Sequence, residues 1–94
     1  MHLGLLVLEL HLPGCASLKE KRGRLKPLLA GLQREFRLTA SEVEAQDSHT
    51  RAVLACALVA NQAAHVERVL ARVPAWIESR RPDVEVVDEQ FTFR

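Results

Sequence analysis

Two ten-residue runs carry apolar side chains at both parities, and they constrain this fold more than any other feature of the chain. In the first, between His2 and Leu12, Leu6, Leu8, Leu10 and Leu12 alternate with Leu3, Leu5 and Val7, until Glu9 and His11 end the second set. In the other, Arg51 to Ala60, Val53, Ala55, Ala57 and Val59 alternate with Leu54, Cys56 and Leu58. A strand that is apolar on both faces belongs in the middle of a sheet. The two runs are therefore expected to be a central pair flanked by other strands. The first run is apolar enough to pass for a signal-peptide core, but no Lys or Arg precedes it and two polar residues interrupt it, so it reads as a strand.

The remaining segments fill in around that pair. Pro13-Gly14 stops the first strand, and Ser17-Leu-Lys-Glu20 is a capping box that starts a helix. Leu18, Leu25, Leu28, Leu29, Leu32 and Phe36 then form an apolar stripe about 100° wide, with a bend expected at Pro27. Arg37 to Asp47 reads as a solvent-facing edge strand with Glu42 and Glu44 on one face and Val43 and Ala45 on the other, turning through Asp47–Thr50. Asn61 is the expected N-cap of a second helix, whose stripe is Val66, Val69, Leu70, Val73 and Ile77, with Trp76 on the flank and a bend at Pro74. Val84, Val86, Val87, Phe91 and Phe93 make a last strand, with a bulge near Asp88-Glu89-Gln90. The order βαββαβ predicts one α+β domain over residues 1–94 with a ferredoxin-like fold. Its four-stranded antiparallel sheet has the order 4-1-3-2 and both helices on one face. With 48% hydrophobic residues the chain can form such a core without staples.

Thirteen basic and twelve acidic residues leave a net charge of +1, so no global field draws the protein to nucleic acid or membrane. Cys15 and Cys56 match no disulfide framework, which fits a reducing cytoplasm. His2, His11, His49 and His65 stand outside any metal-ligand spacing; neither a metal nor another cofactor is implied.

Functions known for this fold each demand particular residues. An RNA-recognition sheet needs aromatics on its first and third strands, and here Leu, Val and Ala occupy them. A metal-carrying ferredoxin-like domain would place two cysteines in the first loop, where Cys15 stands alone. An acylphosphatase-like enzyme would bind phosphate in that loop, at Gly14 to Ser17 before the helix N-terminus, but the other catalytic residues have no counterpart. Cys15 reads either as a loop filler or as a thiol activated by nearby cations. Asp47 and Arg51 bracket the hairpin turn and read as a structural pair.

The most informative polar feature is the cluster Lys19, Lys21, Arg22, Arg24 and Lys26, which with Gly14 and Ser17 is the candidate nucleic-acid or anion site. The competing reading is a solvated helix face. A second candidate is the open sheet face, which stays apolar whichever parity packs on the helices. Val53, Ala55, Ala57 and Val59 would there form a homodimer or protein interface.

The blocks Gly14-x-x-Ser-Leu-Lys-Glu-Lys-Arg22, Leu25-Lys26, Glu42-Val-x-x-Gln-Asp47, Arg51-Ala52 and His65-Val-x-x-Val-Leu70 resemble the YlxP-like bacterial proteins of unknown function across essentially the whole chain. Ser48-His49 stands where that family typically has a Leu-Trp pair, and Cys15 also departs from its pattern. The resemblance implies a small cytoplasmic ferredoxin-like domain with no catalytic residues to carry over. It also implies a link to RNA or the ribosome, because in several bacteria the gene neighbours those for translation initiation and ribosome maturation factors.

Overall fold

The doubly apolar runs become β1 (His2–His11) and β3 (Arg51–Ala60) in a computed structural model that describes residues 1–94. They pair antiparallel from His2 opposite Ala60 to His11 opposite Arg51. β2 (Thr39–Glu44) adds to β3 and β4 (Glu85–Phe93) to β1, giving the sheet order β2-β3-β1-β4, the predicted order read from the opposite edge. The register assigns the two faces. Leu6, Leu8, Leu10 and Leu12 of the β1 segment turn toward the helices with Leu54, Cys56 and Leu58 of β3. They meet Leu25, Leu28 and Leu32 of α1 (Leu18–Phe36), Val66 and Leu70 of α2 (Ala63–Ala71), and Val73 and Ile77 of α3 (Val73–Arg80). No helix is long and apolar enough to cross a membrane.

The two helix prolines act differently. α1 runs unbroken through Pro27; the Gly23 carbonyl that this ring leaves without a donor lies on the exposed side, where water can reach it. Pro74 lacks the N–H that would bond the carbonyl of Leu70, so the second helix ends at Ala71 and restarts at Val73 with Pro74 in the new first turn. The expected single helix is thus two, joined at Arg72. Its N-cap is Gln62 rather than Asn61, without a side-chain bond.

Both edge strands carry an irregularity, of which sequence alternation indicated only the one in β4. In β4 the register slips between the partners of Glu9 and Leu10, so Val87 is the extra residue and points outward, one position before the expected bulge. In β2 the slip falls at Val43, which is exposed: Glu42 keeps the helix-facing parity of Ala40, and the slip sends Glu44 to the opposite face beside Val53, so the two glutamates do not share a face as strict alternation implies. Gly4 faces α2 at its tightest approach: a Cβ there would collide with Val66 Cγ1 and lie 2.8 Å from Leu70 Cδ1.

Candidate anion-binding surface

Ser17 caps α1 in extended backbone, its hydroxyl accepting from the Glu20 N–H at 3.1 Å, while Glu20 Oε2 accepts from the Ala16 N–H at 2.8 Å. That amide, with smaller contributions from the Cys15 thiol and Arg24, holds the Glu20 carboxyl below its ordinary range. The helix start is therefore occupied by the chain's own carboxylate. Gly14 serves the turn, in left-handed backbone at φ 72°. Neither Gly14 nor Ser17 offers the open anion site expected of them, and the loop loses the phosphate cradle that an acylphosphatase-like reaction needs. Cys15 also departs from the activated-thiol reading: it is buried, and burial foremost, with Glu20 second, pushes its pKa up. Burial likewise pushes Cys56 up to about 11.

The basic cluster divides in the fold. Lys21 is almost wholly buried, and its ammonium lies 2.6–2.8 Å from the carbonyls of Ala45, Ser48 and Arg51 and 2.7 Å from Glu42 Oε2. It is a strut between α1 and the β2–β3 hairpin, so it does not contact a ligand. At 100° per residue Lys21 falls between Leu28 and Leu32, within the arc of the apolar stripe, and that is the sequence signal for its burial. Arg24 is held by Glu20, by the Pro13 carbonyl and by Asp83 at 3.6 Å. Lys19, Arg22 and Lys26 remain exposed and have no carboxylate partner.

At 100° per residue those three share an arc of about 120° with Arg34, and no acid falls within it. From Lys19 to Arg34 this crest is about 22 Å long. The same bias extends over the helix layer. Helices and their C-caps carry eleven of the thirteen basic residues but four of the twelve acids, whereas the strands carry six acids and only Arg51. Nine cations lack a carboxylate partner, and eight of them (all but Arg94) lie in the helix layer.

At the hairpin, Arg51 does not pair with Asp47. It forks onto Glu9 of β1 at 3.0 and 3.3 Å, which lowers the Glu9 pKa and raises its own. His49 Nδ1 donates to the Cys15 carbonyl at 2.8 Å, tying the hairpin tip to the first loop. On the open face Leu3, Leu5, Val7, Ala55 and Ala57 are half-buried and Val59 is 56% exposed. Val53, flanked in register by Glu9 and Glu44, is only 5% exposed and drops out of the expected interface.

The architecture is that of a small ferredoxin-like domain, a sheet with a basic helix layer on one face. A de novo designed protein with ferredoxin fold, solved by NMR, superimposes with a TM-score of 0.57 at 11% identity, over 100% of this chain and 83% of that one. The family model "Protein of unknown function (DUF503)" matches residues 3–91, and the chain belongs to that family. It is 39% identical over 69 residues to "Uncharacterized protein YlxP" of Bacillus subtilis (strain 168), covering 73% of this chain and 74% of that protein.

Proposed function

We propose that the protein is a non-enzymatic binding module that holds RNA, including RNA in the ribosome, by its phosphates along the helix layer. The observation that carries this reading is the acid-free crest Lys19–Arg22–Lys26–Arg34, set among cations with no internal partner. Each such cation keeps its charge for an external anion, and neutralising phosphates releases counterions. The test is a salt titration of binding to ribosomal RNA and ribosomal subunits, for wild type and for Lys19→Ala/Arg22→Ala/Lys26→Ala. The expected result is binding whose log–log salt slope falls by about 2–3 in the triple variant. Absence of wild-type binding at low salt would overturn the reading.

A second reading rests on the open sheet face. Strands of ten, six, ten and nine residues present about 550 Å², approaching the ~800 Å² per partner of a stable interface. Its half-buried aliphatics suit a second copy of the chain packed face to face. Sedimentation should then show a dimer that Val59→Asp dissociates; a wild-type monomer at high micromolar concentration excludes it.

A further inference from the structure

The cation crest has a neighbour that charge counting alone does not find. Between α1 and α3 runs a groove of about 250 Å³, walled by Gly31, Arg34 and Glu35 on one side and by Trp76, Arg80 and Arg81 on the other. Gly31 makes it possible: its missing side chain lets the indole lie against α1, since a Cβ would stand 2.8 Å from the outer ring carbon. Phe36 props the indole edge-on, with centroids 5.6 Å apart at 74°. The Arg80 guanidinium lies over the ring at 5.2 Å from its centroid. The tryptophan is half-buried, so this pile of indole and guanidinium borders solvent in the groove.

The charges around it are unspent. Arg81 is forked by Asp83, but Arg34 and Arg80 have no carboxylate partner, and Glu35 has no cation partner. Arg34 belongs both to this groove and to the crest on α1. A flat aromatic–guanidinium surface, two free cations and one free acceptor match the needs of a nucleobase with its phosphate. The base stacks on the pile, Arg34 meets the phosphate, and Glu35 accepts from a base N–H. The volume is below the ~300–1,000 Å³ of sites for drug-sized ligands, so it admits one ring and not a larger cofactor.

We propose that the Trp76–Arg80 groove is a base-stacking site for an unpaired nucleotide of the RNA strand that lies on the crest. This rests on the RNA reading above and adds to it a contact with a base, on a helix and not on the sheet.

Trp76 is the only tryptophan, so its fluorescence reports this groove alone. The experiment titrates wild type with a single-stranded RNA oligomer, an abasic oligomer of equal length, inorganic polyphosphate and AMP, following fluorescence and, separately, binding by anisotropy. The expected result is saturable quenching by the RNA, binding without quenching by the abasic strand and polyphosphate, and no quenching by AMP at the same concentrations. Arg80→Gln should weaken RNA binding about tenfold more than it weakens polyphosphate binding, whereas Arg34→Gln, which removes a phosphate contact, should weaken both. Arg68→Gln, with the same charge loss outside the groove, should weaken both equally. RNA binding without quenching overturns the groove and leaves the crest standing. Equal quenching by AMP would make it a free-nucleotide site and overturn the strand contact. No binding of RNA or polyphosphate at low salt overturns both.

Discussion

The Lys21 ammonium has three protons and meets four oxygens within 2.8 Å, three of them backbone carbonyls and the fourth on Glu42. It therefore shares its donors among the acceptors, and what it stabilises is the conformation of residues 45–51, three of whose carbonyls (Ala45, Ser48 and Arg51) turn inward to it. Ala45 takes left-handed backbone at φ 61° to do so, a conformation that costs an L-residue about 1–2 kcal/mol. Lys21→Met keeps the length of the side chain but leaves this cage without a cation. It should lower unfolding stability by about 3 kcal/mol in urea denaturation, since removing one partner of a buried pair strands the other. Lys19→Met, on the exposed side, should change it by less than about 0.5 kcal/mol. At this scale the helical period sets Lys21 on the apolar face of α1 but does not say what meets its charge. Its acceptors come from positions 21 to 30 residues away, and no local pattern shows that three distant carbonyls and a carboxylate will converge.

Element boundaries followed local chemistry wherever a side chain acts on its own neighbours. The capping box at Ser17 and Glu20 starts α1 as its spacing implies, and its electrostatics set a pH dependence. Glu20 titrates below its ordinary 4.5 in the fold, so its contribution is complete above that value and lost as pH falls through the lowered folded value. Glu9 and Asp83, each lowered by a forked arginine, act with the same sign. Melting temperature should accordingly fall as pH drops from 5 toward 3, and Glu20→Gln should flatten part of that fall while lowering stability at pH 7. Where elements touch one another, local signals stopped short. Gly4 reads as one weak position in an apolar strand, yet it sits where α2 comes closest to the sheet. Gly4→Ala should cost about 1–3 kcal/mol by overpacking and speed amide exchange in α2. The bulge at Val43 was missed and the one at Val87 placed a residue late for a related reason: strict alternation ignores the twist and pairing that each edge strand must satisfy.

For the whole molecule, a net charge of +1 conceals a protein with a positive helix layer and a negative sheet. If the layer and not the total governs polyanion binding, position outweighs net charge. Asp88→Lys, on the open sheet face, should leave RNA affinity within about twofold at 0.15 M salt, where charges beyond about 8 Å are screened. Ala30→Lys, on the exposed arc of α1, should raise it and steepen the salt slope by about 0.7–0.9. Equal effects from the two substitutions would mean that total charge decides. The sequence by itself determined the strand and helix order, the central position of β1 and β3 and the start of α1. These follow from parity, helical period and capping, which act over a few neighbouring residues. Only the tertiary structure decided which leucine set faces the helices, that Lys21 and Arg24 are engaged internally while Lys19, Arg22 and Lys26 stay free, and that Arg34 of α1 stands across a groove from Trp76 and Arg80 of α3. Burial and ion pairing depend on what distant segments bring to the same place, and that is known only once the chain has closed on itself.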